Sequence, residues 1–316
     1  MKAAGLSLVV LTLNVAGPRR LHQGWPTRLA AIESRLKADS PDAAAFQEIW
    51  RAEDLAALVE AAGHARSALD EKLGLAVTSR LPIESFASRG FGEGAGALRA
   101  RLRAGGSEID LYSARLEAGE GPAAARRLGQ AFRLAEFVRA ESSTRPFVLL
   151  GDLGAGPDER EPALLLDLLE GRDLCVSHGD EVCGRTRGDR RADYALIPYS
   201  SRPPRENARA EFTDLLPGAD EMVDATRFGL RARLDASLLR LRPASSPAGR
   251  DEALATIADA LSEAAAAESR RAYAAGWVPL LGARWSAAAQ DGAERLAALA
   301  EEARSARLRE TRAAPR

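Results

Sequence analysis

The first 240 residues alternate short apolar runs with segments of helical periodicity, and this alternation limits the fold more than any other feature of the chain. Strands and helices mixed along one segment bury their apolar faces by stacking in layers, which predicts a two-layer or four-layer α/β domain. Residues 6–15 read as a first buried strand, and 27–38 as a helix with Leu29, Ile32 and Leu36 on one face. A second strand over 43–48 follows Pro41, and 51–62 is helical with Leu55, Leu58 and Val59 inward. Residues 73–78, 97–102 and 109–116 then read as strands, 123–140 as a long helix, and 147–150 as a buried strand ending at Gly151-Asp152. The glycine cluster from Gly90 to Gly96 is expected to be a mobile turn between strands.

Residues 241–249 hold two prolines, an Ala-Ser-Ser run and a closing glycine, a linker pattern that places a boundary there. The organisation expected is a domain over 1–240, a linker over 241–250 and a helical extension over 251–316. In the extension Leu254, Ile257 and Leu261 form one stripe and Leu296 and Leu299 another, so a helical hairpin docks on the domain or mediates self-association with a second copy. The arginine-rich segment 304–316 is expected to fray, and Trp277 and Trp285 lie at or just past the break at Gly276.

No apolar run reaches the ~18 residues of a membrane-spanning helix, and Thr12 and Asn14 interrupt the apolar start too early for a signal peptide. The formal net charge is −1, which gives no field to gather a polyanion, so nucleic acid is not the expected partner. Of 44 basic residues only Lys2, Lys37 and Lys72 are lysine, a compositional bias toward arginine. The two cysteines, Cys175 and Cys183, are spaced for one local bridge; reduced thiols in a cytoplasmic protein are the expectation. No glycine-rich loop has the spacing that cradles a nucleotide phosphate.

Five segments occur in a telling order: Thr12-Leu13-Asn14-Val15, Phe46-Gln47-Glu48-Ile49-Trp50, Gly74 to Val77 with Ser79 to Ile83, Leu150-Gly151-Asp152-Leu153, and Ala192-Asp193-Tyr194-Ala195-Leu196. Together they resemble the endonuclease/exonuclease/phosphatase superfamily, and within it the neutral sphingomyelinases. The resemblance implies a four-layer sandwich of two packed mixed β-sheets flanked by helices, here with a C-terminal helical hairpin. It also implies that Asn14 and Glu48 are magnesium ligands, that Asp152 orients the attacking water or lies beside the metal, and that Asp193 belongs to the catalytic group.

The departures from the family pattern bear on activity. The histidine of the family's Thr-His-Leu segment is replaced within Ala114-Arg115-Leu116. The final Ser-Asp-His is replaced by Ala225-Thr226-Arg227, and the asparagine of Gly-Asp-Phe/Leu-Asn by Gly154. Arg115 and Arg227 stay protonated at physiological pH and cannot shuttle a proton, and each acid or base lost costs about 10²- to 10⁴-fold in rate. Of the three histidines, His22, His64 and His178, none is near Arg115 or Arg227 in sequence.

The expectation is a catalytically impaired protein that binds a phosphorylated small molecule or a lipid headgroup, with magnesium held weakly or not at all. The alternatives are an active magnesium-dependent phosphodiesterase with a rearranged site, and an oligomeric module built on the C-terminal helices. Seven arginines against three acids over 185–209 form a rim beside Asp193 or a solvated loop, with the solvated loop favoured. Asp193 is further expected to pair with Arg227, whose permanent charge suits a carboxylate at a strand end.

Overall fold

The computed structural model describes residues 7–17, 24–177, 180–181, 186–187, 191–198, 211–213, 229–235, 247–275 and 282–313. Two six-stranded sheets pack face to face. The first contains β1 (Ser7–Asn14), β2 (Ala43–Gln47), β3 (Arg66–Asp70), β4 (Leu75–Ser79), β13 (Glu211–Thr213) and β14 (Gly229–Asp235), in the order β13-β14-β1-β2-β4-β3. The second contains β5 (Ile83–Gly92), β6 (Ala95–Ala104), β7 (Ser107–Arg115), β8 (Phe147–Asp152), β9 (Gly171–Asp173) and β12 (Asp193–Pro198), in the order β5-β6-β7-β8-β12-β9. β10 (Val176–Ser177) and β11 (Asp180–Glu181) form a small separate hairpin. Both large sheets are mixed: β1 runs parallel to β2 and β7 parallel to β8, while the neighbouring pairs β1–β14 and β8–β12 are antiparallel.

Helices α1 (Trp25–Asp39) and α2 (Ala52–Ala62) cover the outer face of the first sheet, and α3 (Pro122–Glu141) and α4 (Arg160–Leu169) cover that of the second. This is the expected sandwich of two mixed sheets flanked by helices. Residue alternation explains the layering. On β1, Leu8 and Val10 face the core between the sheets, while Leu11 and Leu13 face α1 and α2. On β7, Ile109 and Leu111 face between the sheets, and Tyr112 and Ala114 face the helices. A period of two with both faces apolar is what a strand buried on both sides requires.

The C-terminal hairpin is present as α5 (Pro247–Ala275) and α6 (Gly282–Ala313). α5 packs on α3 and α4, and α6 packs on α3. Leu254, Ile257, Leu261 and Leu296 of the hairpin belong to one buried cluster with Leu134, Phe137 and Leu165 of the domain. Close approach is helped by Gly129 on α3, where an added Cβ would lie 2.5 Å from the Leu299 side chain.

Several expectations change. The glycine cluster is mostly strand: only Glu93 and Gly94 form the turn between β5 and β6, both with positive φ, as a two-residue hairpin of the primed type requires. The stretch expected to be a linker is helical from Pro247 onward. α6 does not fray at 304 but continues to Ala313, because Ala303 and Ala306 are buried, Arg304 donates to Ser262 Oγ, and Arg307 makes a forked pair with Asp251 at 2.8 Å. Cys175 is disulfide-bonded rather than a free thiol, so the inference from reduced thiols to a cytoplasmic setting loses its premise. Cys183 lies outside the described residues. Among the described residues no helix is long and apolar enough to cross a membrane.

His64 is buried, with Nδ1 2.7 Å from Thr78 Oγ1 and Nε2 2.8 Å from the Pro41 carbonyl. Burial holds its pKa below the ordinary imidazole value. The unfolded chain therefore takes up a proton that the folded chain refuses once pH falls below about 6.5, so stability drops as pH falls through that window. The melting temperature should fall more steeply between pH 7.5 and 5.5 in the wild type than in His64→Gln, measured by circular dichroism. A second expectation concerns the hairpin. Ile257→Ala removes a fully buried side chain of the shared core and should cost about 2–5 kcal/mol in urea unfolding, in a single transition seen alike by far-UV dichroism and tryptophan fluorescence.

Candidate functional site at one edge of the sheet pair

Along the strands, the inter-sheet residues change from apolar to polar toward one edge. β1 runs Leu8, Val10, Thr12, Asn14; β2 runs Ala43, Ala45, Gln47; β7 runs Ile109, Leu111, Ser113, Arg115; β8 runs Val148, Leu150, Asp152. β12, antiparallel to β8, starts at that edge with Asp193 and continues apolar through Ala195 and Ile197. The polar ends meet because β1 pairs with β2, β7 pairs with β8 and β12 pairs with β8 in registers that align Asn14 with Gln47, Arg115 with Asp152 and Asp193 with Asp152.

Beneath the edge lies a buried layer that ties the sheets together. Gln47 Nε2 donates to Thr12 Oγ1 at 3.1 Å and to Ser113 Oγ at 3.0 Å, and Ser113 Oγ donates to the Phe46 carbonyl at 2.9 Å. All three side chains are buried and hydrogen-bonded. Thr12 and Gln47 stand in the sequence segments that carry the family resemblance, yet their role was not read from them. The available signal was a polar residue on the inter-sheet phase of an otherwise apolar strand.

Above that layer, Asn14 joins two carboxylates from different sheets. Its Nδ2 donates to Glu48 Oε1 at 2.9 Å and to Asp152 Oδ2 at 2.8 Å, while its Oδ1 accepts the Ala16 N–H at 2.9 Å. Glu48 follows β2 directly with φ of 58°, a left-handed conformation that costs a non-glycine residue about 1–2 kcal/mol and is held by the surrounding backbone bonds of Gly17 to Glu48 and Ile49 to Gly74. Arg115 reaches the same carboxylate, with Nε 3.3 Å from Glu48 Oε1, and its other arm donates to the Gly94 carbonyl at 3.1 Å. Arg187 lies 4.0 Å from Asp152 Oδ2.

Asp193 is buried opposite Asp152, and Thr186 Oγ1 accepts its backbone N–H at 2.9 Å. The strand start is anchored by Arg191, which pairs with Asp173 at 2.7 Å and lies over the Tyr194 ring at 4.2 Å. Burial pushes the Asp173 carboxyl above its ordinary pKa, and Arg191 pulls against that shift. Gly154 has φ of 66° and donates its N–H to Asp152 Oδ1 at 2.9 Å; a Cβ there would stand 2.6 Å from the Glu117 carbonyl. The structure thus brings together Asn14, Glu48, Arg115, Asp152, Gly154 and Asp193. Thr226 and Arg227 lie outside the described residues, as do His22 and His178, and with Arg227 the expected ion pair to Asp193. His64 is at a different place, under Pro41 and Thr78.

The donor set can be tested against the magnesium ion that the resemblance implies. A hard cation needs oxygen lone pairs directed at it. Here Asn14 turns its nitrogen toward both carboxylates, its oxygen is taken by Ala16, and Glu48 Oε1 already faces a guanidinium. Among the described residues no group of three or more His, Cys, Asp or Glu side chains is arranged to hold a metal. As the described residues are arranged, Asn14 Oδ1 and Glu48 Oε1 do not fit a divalent ion.

A comparison with curated proteins finds no match. The fold is similar to that of a humanized TDP2 from D. rerio, with a TM-score of 0.58 at 14% identity over 72% of this chain and 98% of that one. It is also similar to the human Nocturnin catalytic domain, solved with a bound sulfate anion, with a TM-score of 0.58 at 15% identity over 73% and 94%. Sphingomyelinase C from Streptomyces griseocarneus gives a TM-score of 0.52 at 16% identity over 72% and 99%. The model of the Endonuclease/Exonuclease/phosphatase family matches residues 11–253, which runs from the middle of β1 through the rest of both sheets and stops just inside α5. The chain belongs to the endonuclease/exonuclease/phosphatase family.

Proposed function

We propose that this protein binds a phosphate group, on a small molecule or a lipid headgroup, and that its capacity to cleave a phosphodiester is impaired. The single observation that carries this reading is Arg115: at the converged edge, the group beside Glu48 is a guanidinium that donates hydrogen bonds and cannot exchange a proton. Family members generally use a divalent metal, and the neighbours in fold include phosphodiesterase-type enzymes. In this chain the family's histidine position holds Arg115, and Gly154 replaces the asparagine that would polarise the phosphate. What remains is suited to holding an oxyanion: Arg115, beside Glu48, and Arg187, near Asp152, offer charge-assisted donors.

Purified protein should show no turnover above background on sphingomyelin or bis-p-nitrophenyl phosphate with magnesium present, in a product-release assay. Calorimetric titration with inorganic phosphate, with phosphorylcholine and with sphingomyelin vesicles separates a free phosphate from a headgroup source. Arg115→Ala and Arg187→Ala should each weaken phosphate binding about tenfold, the scale of one charge-assisted hydrogen bond of about 1.5 kcal/mol. Robust magnesium-dependent turnover that is abolished by Glu48→Ala would instead establish the second reading, an active phosphodiesterase in which Glu48, Asn14, Asp152 and Asp193 form a rearranged site; their convergence at one edge is the observation in its favour.

Restoring the missing asparagine should not restore activity. Gly154→Asn places a Cβ against the Glu117 carbonyl in a left-handed backbone, and should cost about 1–3 kcal/mol in urea unfolding without a gain in turnover. A stable Gly154→Asn variant with a large gain in rate would count against the impaired-site reading.

A further inference from the structure

We infer that Arg115 is the resident cation of this site: its guanidinium stands against the Glu48 Oε1 that a divalent ion would share, and it disfavours such an ion there. The placement comes from three independent restraints. β7 ends at Arg115 in register with Asp152, which sets its Cα at the sheet edge. Nε faces Glu48 Oε1 at 3.3 Å. The second arm is held by the Gly94 carbonyl at 3.1 Å, in the two-residue turn between β5 and β6. The side chain is three-quarters covered, with 25% of its surface exposed, so this is not a solvated surface pair that rearranges freely.

Charge makes the exclusion physical. Glu48 is met by Arg115, and Asp152 by Arg187 at 4.0 Å. A dication entering beside Glu48 meets a guanidinium already in place, and like charges at such separation in a partly desolvated edge repel strongly. An ion that coordinates Glu48 through Oε1 must displace Arg115, which also frees the Gly94 carbonyl and loosens the β5–β6 turn. The same arrangement keeps the carboxylate compensated with no ion present, which a partly buried Glu48 needs.

This exclusion acts at the sheet edge proposed above to bind phosphate, and rests on that reading only for the identity of the anion. The two separate experimentally: phosphate binding by a protein whose metal affinity ignores Arg115 sinks the inference alone, and Arg115-dependent metal exclusion without phosphate binding sinks the proposed function alone.

The test is a titration of metal-stripped full-length protein with manganese ion, followed by the loss of the free-ion signal in electron paramagnetic resonance and by calorimetry with magnesium. Two neutral replacements are compared with the wild type: Arg115→Gln, which keeps a donor for the Gly94 carbonyl, and Arg115→Met, which keeps the apolar stem. Each should bind manganese at least about tenfold more tightly than the wild type, and Glu48→Gln added to either should remove the gain. Equal affinities in wild type and variants, or a gain that survives Glu48→Gln, overturn the inference. If one replacement unfolds by circular dichroism, the other decides. Manganese binding by the wild type that is lost in Glu48→Gln alone overturns it whether or not the arginine variants fold.

Discussion

The structure depends on the amide of Asn14. One nitrogen with two hydrogens serves two carboxylates that arrive from different sheets, Glu48 at 2.9 Å and Asp152 at 2.8 Å. A buried polar group left without a partner costs about 1–3 kcal/mol, so the sheets are free to pack at this edge only in the one relative position that satisfies all three. The Thr12, Gln47 and Ser113 layer one step inward repeats the constraint with neutral groups. Apolar packing deeper between the sheets supplies the driving force but is less particular about sliding, since Ala43, Ala45, Val77 and Leu111 present surfaces without directional bonds. Hydrogen bonds at the edge set the register, and the register delivers the site.

Arginine is the recurring means by which this chain keeps acids inside. Arg127 is almost fully buried between Glu159 and Glu161 and also donates to the Gly119 carbonyl at 2.7 Å. Arg99 and Arg101 converge on the fully buried Asp110, and Arg191 serves Asp173. Such pairs contribute little net stability, because removing both charges from water costs about as much as the attraction returns, but losing one partner leaves a charge stranded. Arg115 on Glu48 is the same device at the functional edge. The bias seen in composition is therefore structural as well as compositional.

How much of this was legible in the sequence can be traced residue by residue. β1, β2, β7 and β8 are readable because they are apolar on both faces and end on an abrupt polar residue, and the residues at or just past those ends, Asn14, Glu48, Arg115 and Asp152, are the ones that meet. β5 was not anticipated as a strand: as the edge of its sheet it alternates partly covered with exposed residues, leaves Phe86 exposed, and ends in glycines that read as a turn. α4 was missed because its short apolar stripe, Leu164, Leu165 and Leu168, follows directly on a Gly-Pro-rich loop. The persistence of α6 was hidden because Arg304 and Arg307 look solvated until α5 supplies Ser262 and Asp251, partners some forty to fifty-six residues away in sequence. No local pattern carries that information.

The docked hairpin has a consequence for how the molecule is made. α3 presents Gly129 and its apolar neighbours to Leu261 and Leu299, which belong to the last seventy residues of the chain. During synthesis both sheets and the helices on their outer faces can be complete while the surface that α5 and α6 will cover is still open to water, at roughly 5–20 residues per second. For those seconds the nascent protein carries an open apolar flank over α3 and α4.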